Sequence, residues 1–206
     1  MRLLSQIGSG GGSSVVVIRH GSELLMVDTG YEREADQSPQ NDERNHEILT
    51  TLLRLNGIDP TAINKIFLTH AHADHCRGAE RFDAELFCHH IALDAFPSRL
   101  KKRLTPLDDG HAIFPTTRLM HTPGHTRGHC SILHSSANGS VNVAICGDAI
   151  INLDWLPHVW QHNSDFFSAD EVGKSAAKLL DADIVLPGHG APFISTDRLK
   201  KLLQAP

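Results

Sequence analysis

The sequence predicts one mixed α/β domain spanning residues 1–206. Short apolar runs of strand type alternate along the chain with segments whose apolar residues fall at helical spacing. No repeat, low-complexity tract or linker interrupts them, and 206 residues suffice for a single core.

The elements follow in order. "SSVVVIRHGSELLMVDTG" reads as two strands, Val15–Arg19 and Leu24–Val27, joined at His20–Ser22, where Gly21 permits the turn. "NHEILTTLLRLNG" sets Ile48, Leu49, Leu52, Leu53 and Leu55 at helical spacing, with Gly57 placed to stop the helix. "NKIFLTH" is a short apolar run, expected as a buried strand. Further strands are expected at Glu85–Cys88, Thr117–His121, Ser131–His134 and Val141–Cys146, the last two joined across Asn138-Gly139. Ser168 and Glu171 form a capping box that opens a helix over Ala169–Leu180. A strand at Ile184–Leu186 and a helix from Thr196 complete the set. The polar run Tyr31–His46 is the longest loop-like segment, either a solvated loop or a flap over a site.

Composition excludes several functions. With 24 acidic against 19 basic residues the formal charge is −5, which offers no footprint for a polyanion, so nucleic acid is not an expected partner. No run approaches the roughly 18 apolar residues of a membrane span. "MRLLSQIGSGGGSS" has no apolar core of an export signal, so a cytoplasmic location is expected. Cys76, Cys88, Cys130 and Cys146 make no C-x-x-C pair and read as free, mostly buried thiols in a reducing compartment.

The 15 histidines stand out. In "IFLTHAHADHCRG", His70 and His72 lie two apart in an extended stretch and point to one side, a natural pair of ligands for a cation. Asp74 and His75 follow where the chain turns toward a helix. A metal needs about four ligands, so the cluster requires partners from elsewhere. "HTPGHTRGHC" offers His125 in a turn after a strand, "AICGDAI" offers Asp148 beside Gly147, and "IVLPGHGAP" offers His189 between Gly188 and Gly190. Each stands at the carboxyl end of an apolar strand, where α/β folds build their sites. Five histidines and two aspartates suit two closely spaced divalent cations bridged by a carboxylate. Of the other histidines, His20, His89, His90, His111 and His134 read as surface or edge residues, and His129 as lining or supporting the site.

Together, H-x-H-x-D-H at His70–His75, T-P-G-H-T at Thr122–Thr126, G-D at Gly147–Asp148, P-G-H-G at Pro187–Gly190 and "VDTG" at Val27–Gly30 resemble the metallo-β-lactamase-fold hydrolases. The resemblance runs from Asp28 to His189. It implies a four-layer αββα sandwich with a dinuclear site on one edge, holding two divalent ions, usually zinc, with iron or manganese as alternatives. It would make His70, His72 and His125 ligands of one ion, Asp74, His75 and His189 ligands of the other, and Asp148 the bridge. Asp28 would accept a hydrogen bond from a ligand histidine and fix its tautomer. On local sequence alone Asp28 is equally a turn-forming residue before Thr-Gly.

Two such cations lower the pKa of a shared water toward about 7, and Asp74 can aim the resulting hydroxide at a carbonyl carbon or a phosphorus. There is no G-x-S-x-G elbow to suggest a serine nucleophile. Among branches, the chain resembles glyoxalase II near His125 but lacks the glycine-arginine stretch after the bridging aspartate. Acyl-homoserine lactonases place an active-site tyrosine elsewhere than Tyr31, the chain's single tyrosine. The compact branch typified by metallo-β-lactamase domain-containing protein 1 is the best match, through "GDAI…LDADIVLPGHGAPF". Between those motifs lies "INLDWLPHVWQHNSDFFS", Ile151–Ser168, with Trp155, His158, Trp160, His162, Phe166 and Phe167. It reads as a core plug, as a pocket wall that would use Trp155, His158 and Trp160 beside Tyr31, or as a contact with a second subunit in a homodimer.

Three activities remain open. The first is a dinuclear metal-dependent hydrolase acting through a metal-bridging hydroxide on a small ester, thioester or lactone. The second is a phosphodiesterase or nuclease of the same fold, for which Arg99, Lys101, Lys102 and Arg103 are the only basic path. The third is a mononuclear iron oxidoreductase of the sulfur-dioxygenase sort.

Overall fold

The structure, a computed structural model, describes residues 2–4, 12–31, 38–161 and 167–203. They fall into two compact units, residues 1–88 with 93–106 and residues 89–92 with 107–206.

The first unit is built on a six-stranded sheet. In chain order it has β1 (Arg2–Leu4), β2 (Val15–His20), β3 (Glu23–Val27), helix α1 (Pro39–Leu55), β4 (Lys65–Leu68), the short helix α2 (Ala73–Cys76), β5 (Glu85–His89), α3 (Ser98–Lys101) and β6 (Leu104–Leu107). The strands lie in the order β1-β2-β3-β4-β5-β6. The first three pair antiparallel, and β3, β4 and β5 pair parallel. Parallel strands have both faces covered, which is why Ile66, Phe67 and Leu68 form an unbroken apolar run and are all fully buried. Gly21 makes the β2–β3 turn at φ +60°.

Helix α1 begins six residues before the point at which apolar periodicity signals it. Half of the polar run Tyr31–His46 is therefore helix from Pro39, and residues 32–37 lie outside the described part. The first turns, "PQNDER", carry no apolar face to read. Their signal is the cap: the Ser38 hydroxyl accepts from the Asn41 N–H, with Pro39 at the first helical position. Leu55, expected on the apolar face, is 78% exposed, because Leu49 and Leu53 already fill the buried stripe.

The second unit carries β7 (Ala112–Phe114), β8 (Thr117–His121), β9 (Cys130–Ser135), β10 (Asn142–Ile145), α4 (Ala169–Leu179), β11 (Ile184–Leu186), β12 (Phe193–Ile194) and α5 (Asp197–Leu202). Its sheet has the order β12-β11-β10-β9-β8-β7, antiparallel except where β10 pairs parallel with β11. The β9–β10 hairpin turns at Gly139, φ +69°. Ser168 caps α4 through the Glu171 N–H, and Thr196 caps α5 through the Leu199 N–H. The inner face of α4 (Val172, Ala176, Leu179) packs on Ala149, Ile150, Leu156 and Val159.

Trp155 and Trp160 pack against that same cluster. A Cβ on Gly173 would lie 2.2 Å from the Trp160 ring, so the helix bears directly on the indole. Within Ile151–Ser168, Ile151, Trp155, Leu156, Val159 and Trp160 thus pack in the cluster that α4 covers, while Leu153 and Phe167 are exposed. His158 is exposed there beside Gln161, and His162 and Phe166 lie outside the described residues. All four cysteines are buried, and none forms a disulfide among the described residues. No helix among the described residues is long and apolar enough to cross a membrane.

Candidate metal centre

The expected donors divide between the two units. In the first, β4 ends at Leu68 and the chain, expected to stay extended, instead bends through Thr69, His70 and Ala71 before His72, extended at φ −68° and ψ 146°, leads into α2. His70 packs its ring 4.5 Å from that of His72 and 4.2 Å from that of His75. Asp74 sits in the first turn of α2, its Oδ2 3.6 Å from His75 Nε2. His70, Asp74 and His75 are buried, and His72 is partly so.

Asp28 organises this loop. It follows β3 at φ +58°, a left-handed conformation that Asp tolerates better than most side chains. Its Oδ1 accepts from the Thr69 N–H at 2.8 Å, and its Oδ2 accepts from the Thr69 hydroxyl at 2.8 Å. His75 Nδ1 lies 2.8 Å from the same Oδ2, so the imidazole donates there and keeps its lone pair on Nε2. The Thr69 hydroxyl has one proton, already given to Asp28. It must therefore accept from His70 Nδ1, 3.0 Å away, which fixes the lone pair of His70 on Nε2 as well. One carboxylate thus sets two tautomers. Around it, the Thr29 N–H and hydroxyl both donate to the His75 carbonyl, and the Tyr31 N–H donates to the Asp74 carbonyl.

Tyr31 itself is 2% exposed. Its ring lies over Gly78, where a Cβ would stand 2.5 Å from Cε1, and burial pushes its phenol pKa up. The structure places it inside the first unit's packing.

In the second unit, His125 sits in the loop between β8 and β9. The loop is pressed onto α4: Gly124, at φ +131°, has the Val172 backbone where a Cβ would go, at 2.2 Å. The Ser168 N–H donates to the Gly124 carbonyl and the Ser175 hydroxyl to that of Pro123. Asp148 follows β10 after Gly147, which turns at φ +51°. His189 follows β11, its N–H donating to the Ile151 carbonyl at 2.7 Å. Asp148 Oδ2 lies 3.3 Å from His125 Nε2 and Oδ1 lies 3.3 Å from His189 Nε2. Its two oxygens therefore face two different histidines.

His129 is fully buried, with Nδ1 2.9 Å from the Thr122 hydroxyl. Ser131 donates to the Cys146 carbonyl, so Thr122 donates to Ser131 and accepts from His129. The relay leaves the lone pair of His129 on Nε2. The positioning roles of Thr69, Thr122 and Ser131 are not legible in the sequence, although Thr69 adjoins His70, Thr122 stands three residues before His125 and Ser131 two after His129. His89, expected at the surface, is 1% exposed and stacks on His121 at 4.3 Å and 8°. Burial, with His121 and His90 nearby, pushes its pKa down to about 4.

The donors suit divalent metal of borderline character: imidazole nitrogens with assigned lone pairs and carboxylate oxygens, mostly buried. Histidine and aspartate side chains of the described residues form groups that could hold metal ions.

Comparison with known proteins agrees. Residues 8–189 match the model of the metallo-β-lactamase superfamily. The chain is 33% identical over 205 residues to "Probable metallo-hydrolase YybB" of Bacillus subtilis, covering 89% of this chain and 83% of that protein. It is 31% identical to human metallo-β-lactamase domain-containing protein 1, with 89% of this chain and 64% of that one covered. It is 24% identical to an atrochrysone carboxyl ACP thioesterase of Aspergillus terreus, spanning 98% of this chain and 58% of that protein. Among solved structures, a Thermotoga maritima protein provisionally described as a metallo-β-lactamase aligns with a TM-score of 0.69 at 20% identity, covering 94% and 97% of the chains. AidC, a dizinc quorum-quenching lactonase, aligns with a TM-score of 0.67 at 22% identity, covering 87% and 72%. The fold is the one the motifs imply.

Proposed function

The chain belongs to the metallo-β-lactamase superfamily, and on that footing we propose that it is a dinuclear metal-dependent hydrolase of small esters, thioesters or lactones. The observation that carries the proposal is Asp148, a buried carboxylate with one oxygen directed to each of two histidines, as a shared ligand requires. His70, His72 and His125 would hold one ion, Asp74, His75 and His189 the other, and Asp148 both. The chemistry of these side chains, imidazole nitrogens and carboxylate oxygens, supports the assignment. Bound ions would supply activated water at neutral pH and Lewis acidity toward a carbonyl oxygen.

The chain's own residues do the rest. Asp28 and Thr69 hold His75 and His70 in the tautomers that present Nε2. Asp74 supplies negative charge to accept a hydrogen bond from the attacking water and aim it. His129, fixed by Thr122, supports the wall beside His125, with the two ring centroids 6.1 Å apart. The thioesterase and the lactonase among the similar proteins support acyl substrates over phosphodiesters. So does the basic cluster: Lys101 is paired with Asp94, and Arg103 donates to the carbonyls of Glu80 and Phe82. Two of the four cations in that cluster are thereby committed to local partners. Zinc in both positions, one catalytic domain over residues 1–206 and a cytoplasmic location complete the proposal.

Metal analysis of the purified protein, coupled to chromogenic ester, thioester, lactone and phosphodiester substrates, tests it. Two equivalents of zinc with ester or lactone turnover is the expected result. One iron per chain with oxygen consumption, or turnover of the phosphodiester alone, overturns it.

A further inference from the structure

Within the first unit a cavity of about 640 Å³ opens beside His72, in the range of small-molecule sites. Its charge runs against that of the chain. Arg77, Arg81 and Arg99 line it, opposed by Asp42 and Glu80, on a protein of formal charge −5. The three guanidiniums are not equivalent. Arg77 Nε is paired with Asp42 at 2.6 Å, and Arg81 Nη1 with Glu43 at 2.5 Å. Arg99, on α3, makes no hydrogen bond or ion pair among the described residues. The wall beside it is aliphatic, from Leu100 and Pro97.

We propose that this cavity receives the anionic arm of the substrate, a carboxylate separated from the scissile carbonyl by a short aliphatic chain, with Arg99 as its anchor. The inference rests on the hydrolase reading, in that it places the scissile group on the His72 side. A single uncommitted guanidinium presents a planar fork that fits one carboxylate bidentately, whereas a doubly charged phosphate would call on more than one cation. The aliphatic wall accommodates methylene groups. Glu80, exposed on the same cavity, opposes the anion and limits affinity. The substrate class is therefore the monoesters or monothioesters of short dicarboxylic acids.

The test uses the metal-loaded protein with two esters of equal acyl length, the 4-nitrophenyl hemiester of glutaric acid and 4-nitrophenyl pentanoate. The hemiester is expected to have the lower KM. Arg99→Ala should raise the hemiester KM about fivefold, the scale of one exposed charge contact, with kcat kept and the pentanoate unchanged. Glu80→Gln should lower the hemiester KM. In parallel, monomethyl glutarate is titrated into wild type and Arg99→Ala, followed by NMR. Weaker binding to the variant supports the anchor, and if neither ester is hydrolysed while that difference persists, the hydrolase reading fails and the anionic subsite stands. Equal KM values for both esters in wild type, or unchanged KM and unchanged binding in Arg99→Ala, overturn the inference.

Discussion

Gly188→Ala would probe the position of Asp148 from outside it. A Cβ at residue 188 would lie 2.1 Å from Asp148 Oδ1, against the 3.4 Å at which ordinary contact begins, so something must move by about 1.3 Å. The Gly147 carbonyl carbon and oxygen stand at 2.7 and 2.8 Å, which blocks retreat in that direction. The carboxylate is the softer partner, and its displacement breaks the 3.3 Å approach of Oδ1 to His189 Nε2. Overpacking of this kind costs about 1–3 kcal/mol, which lowers Tm by roughly 2–12 °C in a chain of this size. A ligand misplaced by about 1 Å costs on the order of a hundredfold in rate. Calorimetry, metal content and ester hydrolysis are measured on Gly188→Ala, on Asp148→Ala and on the double variant. The cycle should show coupling, with a smaller stability penalty for Gly188→Ala once Asp148 is gone. Wild-type metal content and rate in Gly188→Ala, or an equal penalty in both backgrounds, would refute the reasoning.

Asp74→Asn keeps size and one ligating oxygen but removes the charge that orients the water. Loss of about 3 kcal/mol of preorganised stabilisation should slow kcat a hundredfold or more with little change in KM and the fold intact; activity within a few-fold of wild type with full metal content would reduce Asp74 to a helix-starting residue. Asp28→Asn tolerates the same left-handed backbone yet replaces one acceptor oxygen by a donor, so it should weaken metal affinity by about 10–100-fold, read by competition with a chromophoric chelator. For His89, the unfolded ring takes up its proton below about 6.5, whereas the buried ring resists until about 4. The unfolded state therefore binds more protons in that interval, and the stability contributed by neutral His89 is complete above the interval and lost as pH falls through it. Tm measured from pH 7 to 4.5 should fall less steeply for His89→Phe than for wild type, and identical slopes would remove His89 from the acid response.

Local features of this protein were legible because their causes are local. The Asn138-Gly139 turn, the Ser168 cap and the apolar run before His70 each depend on residues within a few positions of one another, and the structure has all of them. The start of α1 was not read, since its first turns hold no apolar stripe and the information lies in a serine and a proline. The candidate donors are legible by the same logic: His70, His72, Asp74 and His75 are neighbours in sequence, and polar residues of donor type recur at three more strand ends, His125, Asp148 and His189.

The sequence alone carried the motifs that point to the family and the fold class, and it named candidate donors at closely spaced and glycine-flanked strand-end positions. Tertiary structure decided what depends on contacts across tens of residues. It brought Asp28 to Thr69 and His75, 41 and 47 positions on, and so chose two tautomers. It buried His89 against His121 and Tyr31 over Gly78, and set Trp160 under α4. It also separated Arg99 from the paired cations around it. Burial and pairing are properties of a neighbourhood, and residue type fixes only what each side chain can offer once that neighbourhood exists.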